Sequence, residues 1–501
     1  MATKDFSIEV SKEMDSSNNE TNWRLDTSYK QLPEAFYSKQ SFNKVPNPEV
    51  VIFNDPLAEH LSMPLDFLKT NEGQELLAGN QLPAGREGLA QAYAGHQFGH
   101  FTMLGDGRAL LLGEHITPEG ERVDVQLKGS GRTVFSRGGD GRAALGPMLR
   151  EYIMSEGMHG LGIPTTRSLA VMKTGQYVRR EERLPGAVLT RIAKSHIRVG
   201  TFQFAAARGE VDDLKALADY AIERHEPDLQ GEQQPYLSFL YRVIEKQAHL
   251  IAQWQLVGFV HGVMNTDNMA ISGETIDYGP CAFLDAYDPS AVFSSIDTQG
   301  RYAYGNQPYS ANWNVARFAE ALLPLLSENQ EQAVAIAQQA IEAFTPLYKQ
   351  YWLEGMRTKL GLLQEGEEDG AFVNQLLAIM SEYKLDYTNT FRQLSTGEKL
   401  ASTVEDDGHY QEWKKEWQRR LDEQPFKREE AVQTMLATNP YVIPRNEHME
   451  RVLNDAVEKN DATLLKKFLS ALSNPFTETD EGKEFTAVST NVKPYITYCG
   501  T

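Results

Sequence analysis

The chain has 501 residues, which exceeds the usual size of a domain with a single hydrophobic core, so we expect at least two lobes. Its hydrophobic content of 41% and aromatic content of 10% exclude wholesale disorder, and its net charge of -20 disfavours non-specific binding to nucleic acid or anionic membranes. The two cysteines, Cys281 and Cys499, exclude a disulfide framework and a zinc cluster, and they favour a reducing compartment.

The first 22 residues are polar and lack the apolar core of a signal peptide. No apolar run in the sequence approaches membrane-spanning length. We therefore expect a flexible tail over residues 1–22, a cytoplasmic location, and neither a membrane nor a nucleic-acid partner. Ordered folding should begin near Trp23.

A first glycine-rich stretch covers residues 92–114. In it, Gly105, Gly107 and Arg108 directly precede an apolar run over residues 109–112, which has the composition of a strand. A glycine turn that leads into a strand lets backbone N–H groups approach a ligand closely. Taken alone, so short a motif is more typical of a plain hairpin.

Residues 123–128 alternate apolar and polar side chains, as a strand does. Lys128 falls on the polar face, from which it either projects into a cleft or lies at the surface. The next stretch, residues 129–146, contains six glycines, three arginines and the pair Asp140-Gly141. Backbone amides and guanidinium groups together form anion cradles, whereas a flexible linker usually lacks such arginine density.

From Pro147 the pattern becomes helical, and Glu151 lies on this helix. A lysine on a strand and a glutamate on the next helix resemble the ion pair of protein kinases, so Lys128 is predicted to pair with Glu151. Further strands are predicted at residues 168–173 and 186–193. Arg191 and Arg198 follow in the same part of the chain. These elements predict a sheet-rich N-terminal lobe over residues 23–195.

The remainder is predicted to be mainly helical. Apolar residues recur with helical periodicity over residues 240–254 and lead directly into a polar loop. Further helices are predicted at residues 312–328, 331–360, 370–384, 408–422, 427–437 and 447–472. We expect a helical C-terminal lobe with a helical extension over residues 196–475, and a polar tail over residues 476–501.

The polar loop at residues 261–285 has the spacing of a kinase catalytic loop, with His261, Gly262 and Asn268 at the expected offsets. Val263 occupies the position of the kinase base, and valine cannot accept a proton. The loop supplies another acid, Asp267, directly before Asn268. A loop rich in Asn, Asp and Gly also forms ordinary solvated turns, so the motif alone leaves both interpretations open.

Residues 277–279, Asp-Tyr-Gly, resemble the metal-binding Asp-Phe-Gly triplet of kinases. Asn268 and Asp277 therefore form a candidate pair of oxygen ligands for a divalent cation such as Mg²⁺, which is commonly shared with nucleotide phosphates.

Longer stretches carry a family resemblance. They are AGHQFG, LGDGRA, LKGSGRTVFSRGGDGRAALGPMLREY, LTRIAKSHIRVGTF, HGVMNTDNM, IDYGP and NPYVIPRN, and they span most of residues 90 to 501 together with the C-terminal cysteine. In these stretches the chain resembles the selenoprotein O family, called YdiU in bacteria. The resemblance implies an α+β, bilobal, protein-kinase-like fold. It also implies transfer of AMP from ATP, or in some members UMP from UTP, to Ser, Thr or Tyr hydroxyls of proteins, with Mg²⁺ or Mn²⁺ required.

The resemblance also implies roles for single residues. Gly105, Gly107 and Arg108 would form the first nucleotide-binding turn, and Lys128, Asp140, Gly141, Arg191 and Arg198 would hold the nucleotide and its phosphates. Asp267 would accept the proton of the attacking hydroxyl, while Asn268 and Asp277 would carry the metal and Asp277 would also contact the nucleotide.

Two rival functions remain at the level of sequence. One is ordinary kinase-type phosphoryl transfer, against which Val263 argues. The other is a non-catalytic, pseudokinase-like nucleotide-binding scaffold, against which the joint presence of Lys128, Glu151, Asn268 and Asp277 argues.

The two thiols suggest regulation. Cys281 lies two residues beyond Gly279, and Cys499 lies close to the end of the polar tail, where the resembling family carries cysteine or selenocysteine. We hypothesise a reversible Cys281–Cys499 disulfide that holds the tail across the active site. In the alternative interpretation Cys281 is a small core residue and Cys499 an unreactive thiol.

Overall fold

The structure of the chain, a computed structural model, describes residues 23–41, 43–82, 87–488 and 495–497. Within these ranges the N-terminal part is built on an antiparallel sheet and the C-terminal part is helical, which confirms the predicted α+β class. Residues 23–193 are called the sheet region below, and residues 199–485 the helical region.

The sheet region contains ten of the twelve strands in the described ranges. The strands are β1 Tyr37–Gln40, β2 Glu49–Phe53, β3 Gly88–Gln91, β4 Ala94–Gln97, β5 His100–Met103, β6 Ala109–Ile116, β7 Arg122–Lys128, β8 Ala143–Ala144, β9 Arg167–Arg179, β10 Arg183–Ala193, β11 Phe259–Val260 and β12 Ala282–Phe283. Eight of these form one sheet in the order β1-β3-β6-β7-β10-β9-β2, with β8 beside β10. β4 pairs with β5, and β11 with β12, as two separate hairpin-like pairs.

Helices flank the sheet and make up most of the rest. They are α1 Asp55–His60, α2 Leu65–Leu68, α3 Asn71–Leu77, α4 Leu145–Gly160, α5 Val199–Arg208, α6 Val211–His225, α7 Pro235–Val257, α8 Gln307–Leu326, α9 Gln330–Ile341, α10 Phe344–Lys359, α11 Asp369–Glu382, α12 Tyr387–Thr396, α13 Ser402–Glu405, α14 Gly408–Glu423, α15 Arg428–Thr438, α16 Asn446–Glu458, α17 Thr463–Ser473 and α18 Asp480–Lys483. None of these helices combines the length and the apolar composition needed to cross a membrane.

Two of the predicted helices are wrong in extent, because each contains a break. Residues 331–360 form α9 and α10, and Pro346 lies in the first turn of α10, where a missing N–H is tolerated. Residues 447–472 form α16 and α17. Asn460 adopts a left-handed φ of 54° between them, which a continuing helix does not allow.

Strand β7 shows how the sheet is packed. Val125 and Leu127 on one face join the apolar cluster that α1–α3 form over the sheet. The polar residues on the other face, Asp124, Gln126 and Lys128, are buried as well, with exposures of 1%, 0% and 5%. The alternation predicted from the sequence is present, but its polar side faces the protein interior and not solvent.

The sheet and helical regions share one large apolar cluster. It includes Leu189 of the sheet, Ile153 of α4, and Phe202 and Ile244 of α5 and α7. A second cluster, which includes Trp413, joins α10–α15 to Val260 of β11 and to Leu284 after β12. The shared cluster fixes the two regions against each other along one side, and a cleft opens beside it.

Candidate active site

The cleft between the sheet region and the loop after β11 has a volume of about 1380 Å³. That exceeds the usual range of small-molecule sites, roughly 300–1,000 Å³, and leaves room for a ligand and part of a partner molecule. Its lining contains every residue predicted to bind the nucleotide or the metal, to accept the proton, or to pair with Lys128. These are Gly105, Gly107, Arg108, Lys128, Asp140, Gly141, Glu151, Arg191, Arg198, Asp267, Asn268 and Asp277.

A buried ion-pair network lies at the inner end of the cleft. Lys128 Nζ donates to Glu151 Oε2 at 2.6 Å and to Asp277 Oδ1 at 2.7 Å. Arg191 Nη1 donates to the same Asp277 oxygen at 2.6 Å and to Glu151 Oε1 at 3.2 Å. Arg198 Nη1 donates to Asp277 Oδ2 at 3.0 Å. The structure thus brings together a strand lysine, a helix glutamate, two arginines and the loop aspartate.

The charge balance of this network favours an anionic ligand. Within these ion pairs three cations contact two carboxylates, so the pairs by themselves carry one excess positive charge, and the carboxylates of Asp106 and Asp267 also act on Arg198. Burial works against the charged form of Asp277, but the charges of Lys128, Arg191 and Arg198 outweigh it and hold its pKa well below the usual range. Buried uncompensated charge is costly, and phosphate oxygens are the ligands best suited to guanidinium groups.

Asp277 also has an unusual backbone. Its φ is 62°, in the left-handed region that non-glycine residues rarely adopt, and its carbonyl accepts the N–H of Gly279 at 2.9 Å. Such strain costs about 1–3 kcal/mol and concentrates at functional sites, because the surroundings must fix it. Here the three cations provide that constraint.

Asp267 lies in a single 3₁₀ turn, Thr266–Asn268, and its carbonyl accepts Arg198 Nη1 at 2.9 Å. Asp267 is 8% exposed, and its Oδ1 is buried without a hydrogen-bond partner among the described residues. Burial raises the pKa of Asp267 to about 6, against the opposing charge of Arg198. Val263, at the position of the kinase base, also lines the cleft. The structure thus places a carboxylate, Asp267, in the lining of the cleft close to the position where kinases carry their base.

The hairpin β4–β5 holds the turn that carries Asp267. The N–H of His96 donates to Thr266 Oγ1 at 2.7 Å, and the N–H of Phe98 donates to Asn265 Oδ1 at 2.9 Å. A Cβ on Gly95 would stand 2.1 Å from Asp267 Oδ1, so only glycine leaves room for this carboxylate. The stretch AGHQFG carries part of the family resemblance, but its residues alone do not predict this contact, because the contact joins positions 170 residues apart.

Asn268 and Asp277 fit a divalent cation by their chemistry. Asn268 donates its Nδ2 to the carbonyl of Val263 at 3.0 Å, which leaves its amide oxygen as an acceptor. Asp277 stays ionised, and both side chains line the cleft. Mg²⁺ usually takes one or two protein oxygens and completes its shell with phosphate oxygens and water, so two such side chains are sufficient.

The two glycine-rich stretches pack against each other at the upper wall of the cleft. Between the stretches, a Cβ on Gly105 would strike the ring of Phe135. Within the second stretch, a Cβ on Gly141, where φ is 68°, would come within 2.1 Å of the carbonyl oxygen of Gly131. Thr133 Oγ1 donates to the carbonyl of Asp106 at 2.6 Å and ties the stretches together. Close backbone packing of this kind leaves N–H groups accessible to a ligand.

Asp140 differs from the other predicted ligand residues because it is exposed and already paired. Arg180 Nη1 donates to Asp140 Oδ2 at 2.9 Å, and the N–H of Arg142 donates to Asp140 Oδ1 at 2.9 Å. Arg180 also lines the cleft, although the sequence analysis did not select it. Its position at the end of β9 follows from the hairpin β9–β10, which is longer than predicted.

Cys281 is buried beneath the cleft, and its carbonyl accepts Arg150 Nη2 at 2.7 Å. The neighbouring carbonyl of Pro280 accepts Thr497 Oγ1 at 2.7 Å, so residues 495–497 lie beside the cleft. Cys499 lies outside the described residues.

Comparison with known proteins gives consistent matches. A family profile described as "Protein adenylyltransferase SelO" matches residues 20–473. A Shouchella clausii protein named "Protein nucleotidyltransferase YdiU" is 58% identical over 480 residues, covering 96% of this chain and 99% of its own length. A Geobacillus kaustophilus protein of the same name is 57% identical with the same coverage. A third, from Bacillus cereus, is 56% identical over 486 residues, covering 97% of this chain and 99% of its own length.

Proposed function

The chain belongs to the protein adenylyltransferase SelO family and is a nucleotidyltransferase, and from this premise we propose that it transfers AMP from ATP to Ser, Thr or Tyr hydroxyls of other proteins. Pyrophosphate is the second product. UTP is the alternative donor, with UMP as the transferred group. The observation that carries the proposal is that one cleft is lined both by a buried carboxylate, Asp267, and by three buried cations, Lys128, Arg191 and Arg198.

The cations account for the choice of leaving group. In this reaction the acceptor oxygen forms a bond to the α-phosphorus, the bond from the α-phosphorus to the β-bridging oxygen breaks, and the negative charge passes to pyrophosphate. Lys128, Arg191 and Arg198 supply buried donors for that charge, in a site where such donors act more strongly than in water. Arg108, with Gly105 and Gly107, adds a further cationic turn that lines the cleft.

Asp267 acts as the general base. It accepts the proton that the acceptor hydroxyl releases as its oxygen attacks, a role that commonly contributes about 10²–10⁴-fold to the rate. A carboxylate suits this role only if it reaches the cleft and is held in place, and the bonds from β4 to Asn265 and Thr266 provide that support.

Asn268 and Asp277 would hold Mg²⁺ or Mn²⁺. When bound, such an ion neutralises phosphate charge and stabilises the transition state as a Lewis acid. Asp140 and Gly141 would contact the nucleotide at the outer end of the cleft, where they line its wall.

We infer that the fold is a variant of the protein-kinase fold. The supporting features are the strand lysine and helix glutamate in a 2.6 Å ion pair, and the Asp-Tyr-Gly segment facing them across the cleft. In this proposal residues 23–195 form the N-lobe, residues 196–475 the C-lobe with its extension, and residues 476–501 a tail.

The rival function is γ-phosphoryl transfer. It lacks support because Val263 occupies the position of the kinase base, and the family match favours nucleotidyl transfer. The non-catalytic scaffold is likewise without support, because the matched relatives are named as transferases.

Intact-mass analysis tests the proposal. The purified chain is incubated with ATP or UTP and Mg²⁺ or Mn²⁺, alone and with a candidate acceptor protein. The proposal predicts an added mass equal to one nucleoside monophosphate on a protein. An added mass equal to a phosphate group would support the kinase alternative instead.

We also propose that a Cys281–Cys499 disulfide forms under oxidising conditions and reduces access of acceptor proteins. Support comes from the position of residues 495–497 beside the cleft, next to the loop that contains Cys281. Peptide mapping without reductant after mild oxidation should recover the cross-linked peptide, and transfer should fall and recover on reduction. Absence of that peptide, or an unchanged transfer rate, would reject the idea. Cys281→Ser and Cys499→Ser serve as matched controls, since each should abolish the response.

A further inference from the structure

Two buried chains of side chains fix the guanidinium of Arg191. Arg191 Nε lies 3.2 Å from His196 Nε2, and Arg191 Nη2 donates to Gln126 Oε1 at 2.6 Å. Nη1 is the nitrogen that donates to Asp277 and Glu151 in the cleft. The bonds from Nε and Nη2 therefore set the orientation in which Nη1 faces Asp277 and Glu151.

The hydrogen-bond pattern specifies the tautomer of His196. Its Nδ1 lies 2.9 Å from Asp124 Oδ2, and its backbone N–H donates to the same oxygen at 2.9 Å. A carboxylate only accepts, so Nδ1 carries the proton, and Nε2 is left as the acceptor for Arg191 Nε–H. Burial lowers the pKa of His196 to about 4, although the bond to Asp124 favours the charged form, so the ring is neutral near pH 7.

Asp124 is itself fixed from the helical region. Arg224 of α6 donates its Nη2 to Asp124 Oδ1 at 2.6 Å, and the Arg224 side chain is 4% exposed. Burial alone would raise the pKa of Asp124, but the charge of Arg224 and the bonds from His196 hold it at about 2. Asp124 is thus a permanent acceptor in β7 that joins this strand to α6 and to His196 in the loop after β10.

The second chain leads to the first glycine turn. Gln126 receives Arg191 Nη2 on its amide oxygen and donates its Nε2 to Asp106 Oδ2 at 3.2 Å. The same Asp106 oxygen accepts the N–H of Gln91 at 3.1 Å. Arg191 is in this way connected to the turn that contains Gly105 and Gly107.

We propose that His196, backed by Asp124, is a positioning residue that holds Arg191 ready for nucleotide phosphates. The inference rests on the proposed function, because it needs a phosphate-bearing ligand at Arg191. A free arginine side chain must lose rotamer freedom when it binds, so a guanidinium that is already fixed binds phosphate at a smaller entropic cost. Neither His196 nor Asp124 needs to contact the nucleotide for this effect.

A pair of isosteric variants separates positioning from general structural support. His196→Gln can return an amide oxygen to the place of Nε2, whereas His196→Asn keeps a group near Nδ1 but does not reach Arg191 Nε. We expect the affinity for ATP with Mg²⁺, measured by calorimetry, to fall about tenfold in H196N, as for a lost hydrogen bond to a charged group, and less than about threefold in H196Q. The affinity for adenosine, measured by ligand-observed NMR, should be unchanged in both variants because adenosine has no phosphate.

Arg191→Ala makes failure of the inference distinguishable from failure of the proposed function. If R191A leaves ATP affinity unchanged, the phosphate site at Arg191 is wrong, and the proposed function loses that support. If R191A weakens ATP binding while H196N does not, the positioning role alone is overturned. Equal losses for ATP and adenosine in H196N would also overturn it, because they indicate general damage to the fold.

A measurement on the unmodified protein covers the case in which H196N does not fold. In a ¹⁵N spectrum of histidine-labelled protein, the His196 signals are those that disappear in H196Q. From pH 6 to pH 8 these signals should show a protonated Nδ1 and an unprotonated Nε2. The opposite tautomer or a doubly protonated ring would overturn the proposal, since neither accepts the Nε–H of Arg191.

Discussion

At the scale of single residues, Lys128 and Arg132 illustrate the difference between a buried ligand-facing cation and a loop-stabilising one. Lys128 is 5% exposed and bonds two carboxylates in the cleft. Arg132 is exposed and donates its Nε and Nη2 to the carbonyls of Gly139 and Gly138. The two residues are four positions apart, yet only the first faces the cleft network.

We predict that Lys128→Ala lowers the transfer rate and ATP affinity by about 10²-fold, on the scale of removing one preorganised charge from a reacting site. Arg132→Ala, the matched control, should change both by less than about threefold. Transfer kinetics and calorimetry measure the two effects, with thermal unfolding as a check on folding, because K128A leaves Glu151 with fewer partners. Similar losses in the two variants would contradict the assignment of Lys128 to the phosphate site.

At the scale of elements, the hairpin β4–β5 determines where Asp267 lies. It bonds the loop that carries Asp267 through the N–H groups of His96 in β4 and Phe98 in the turn. The turn residues Phe98 and Gly99 both have positive φ, at 51° and 89°. Phe98 is held in that conformation although it has a side chain, which indicates that the surrounding contacts determine the turn.

We predict that Gly95→Ala lowers the transfer rate by more than about tenfold while ATP affinity stays within about threefold. The added methyl would overlap Asp267 Oδ1 and displace the base, because its three nearest atoms all belong to the Asp267 side chain, and misplacement by about 1 Å is enough to slow catalysis. Gly370→Ala on α11 is the control, since a Cβ there meets no atom within 4 Å. Unchanged transfer in G95A would show that the hairpin does not set the position of Asp267.

At the scale of the whole molecule, histidines held neutral within the fold make stability depend on pH. His225, at the end of α6, is partly buried and contacts Ser195 Oγ at 2.8 Å. Burial lowers its pKa to about 3, helped by nearby cations and opposed by one carboxylate. The charged groups that face it are Arg224, Lys246, Lys194 and Asp124. The unfolded imidazole, with a pKa of about 6.5, binds a proton that the folded one does not.

The sign of the effect follows from this difference. The contribution of His225 to stability is fully present above about pH 6.5 and is lost as the pH falls toward 3, at about 1.4 kcal/mol per pH unit over the steep part. We predict that the difference in free energy of unfolding between the wild type and His225→Gln decreases by about 1.4 kcal/mol for each unit by which the pH falls from 6 to 4. Denaturant unfolding at several pH values measures it, with exposed His60→Gln as control. A difference that does not vary with pH would contradict the assignment of a neutral ring.

The sequence predicted those parts of the site that depend on local motifs. The spacing of Asn268 and Asp277, the strand that carries Lys128 and the helix that carries Glu151 follow from neighbouring residues, and the structure brings all four to one cleft. The roles of Gly95 and His196 were not predicted, because they arise from contacts between segments that are distant in the chain. Periodicity identified most helices but overlooked their breaks, since the apolar pattern continues through Pro346 and Asn460.

Whether the chain transfers a nucleotide or a phosphate group is decided by following the α- and γ-phosphates of ATP separately. The purified chain is incubated with Mg²⁺ and ATP labelled at one position or the other, and protein-bound label and released pyrophosphate are counted, with Asp267→Asn in parallel. We predict that label from the α-position is incorporated into protein with release of pyrophosphate, and that Asp267→Asn lowers incorporation by about 10²-fold or more. Incorporation of label from the γ-position, or normal incorporation of α-label by the variant, would contradict it.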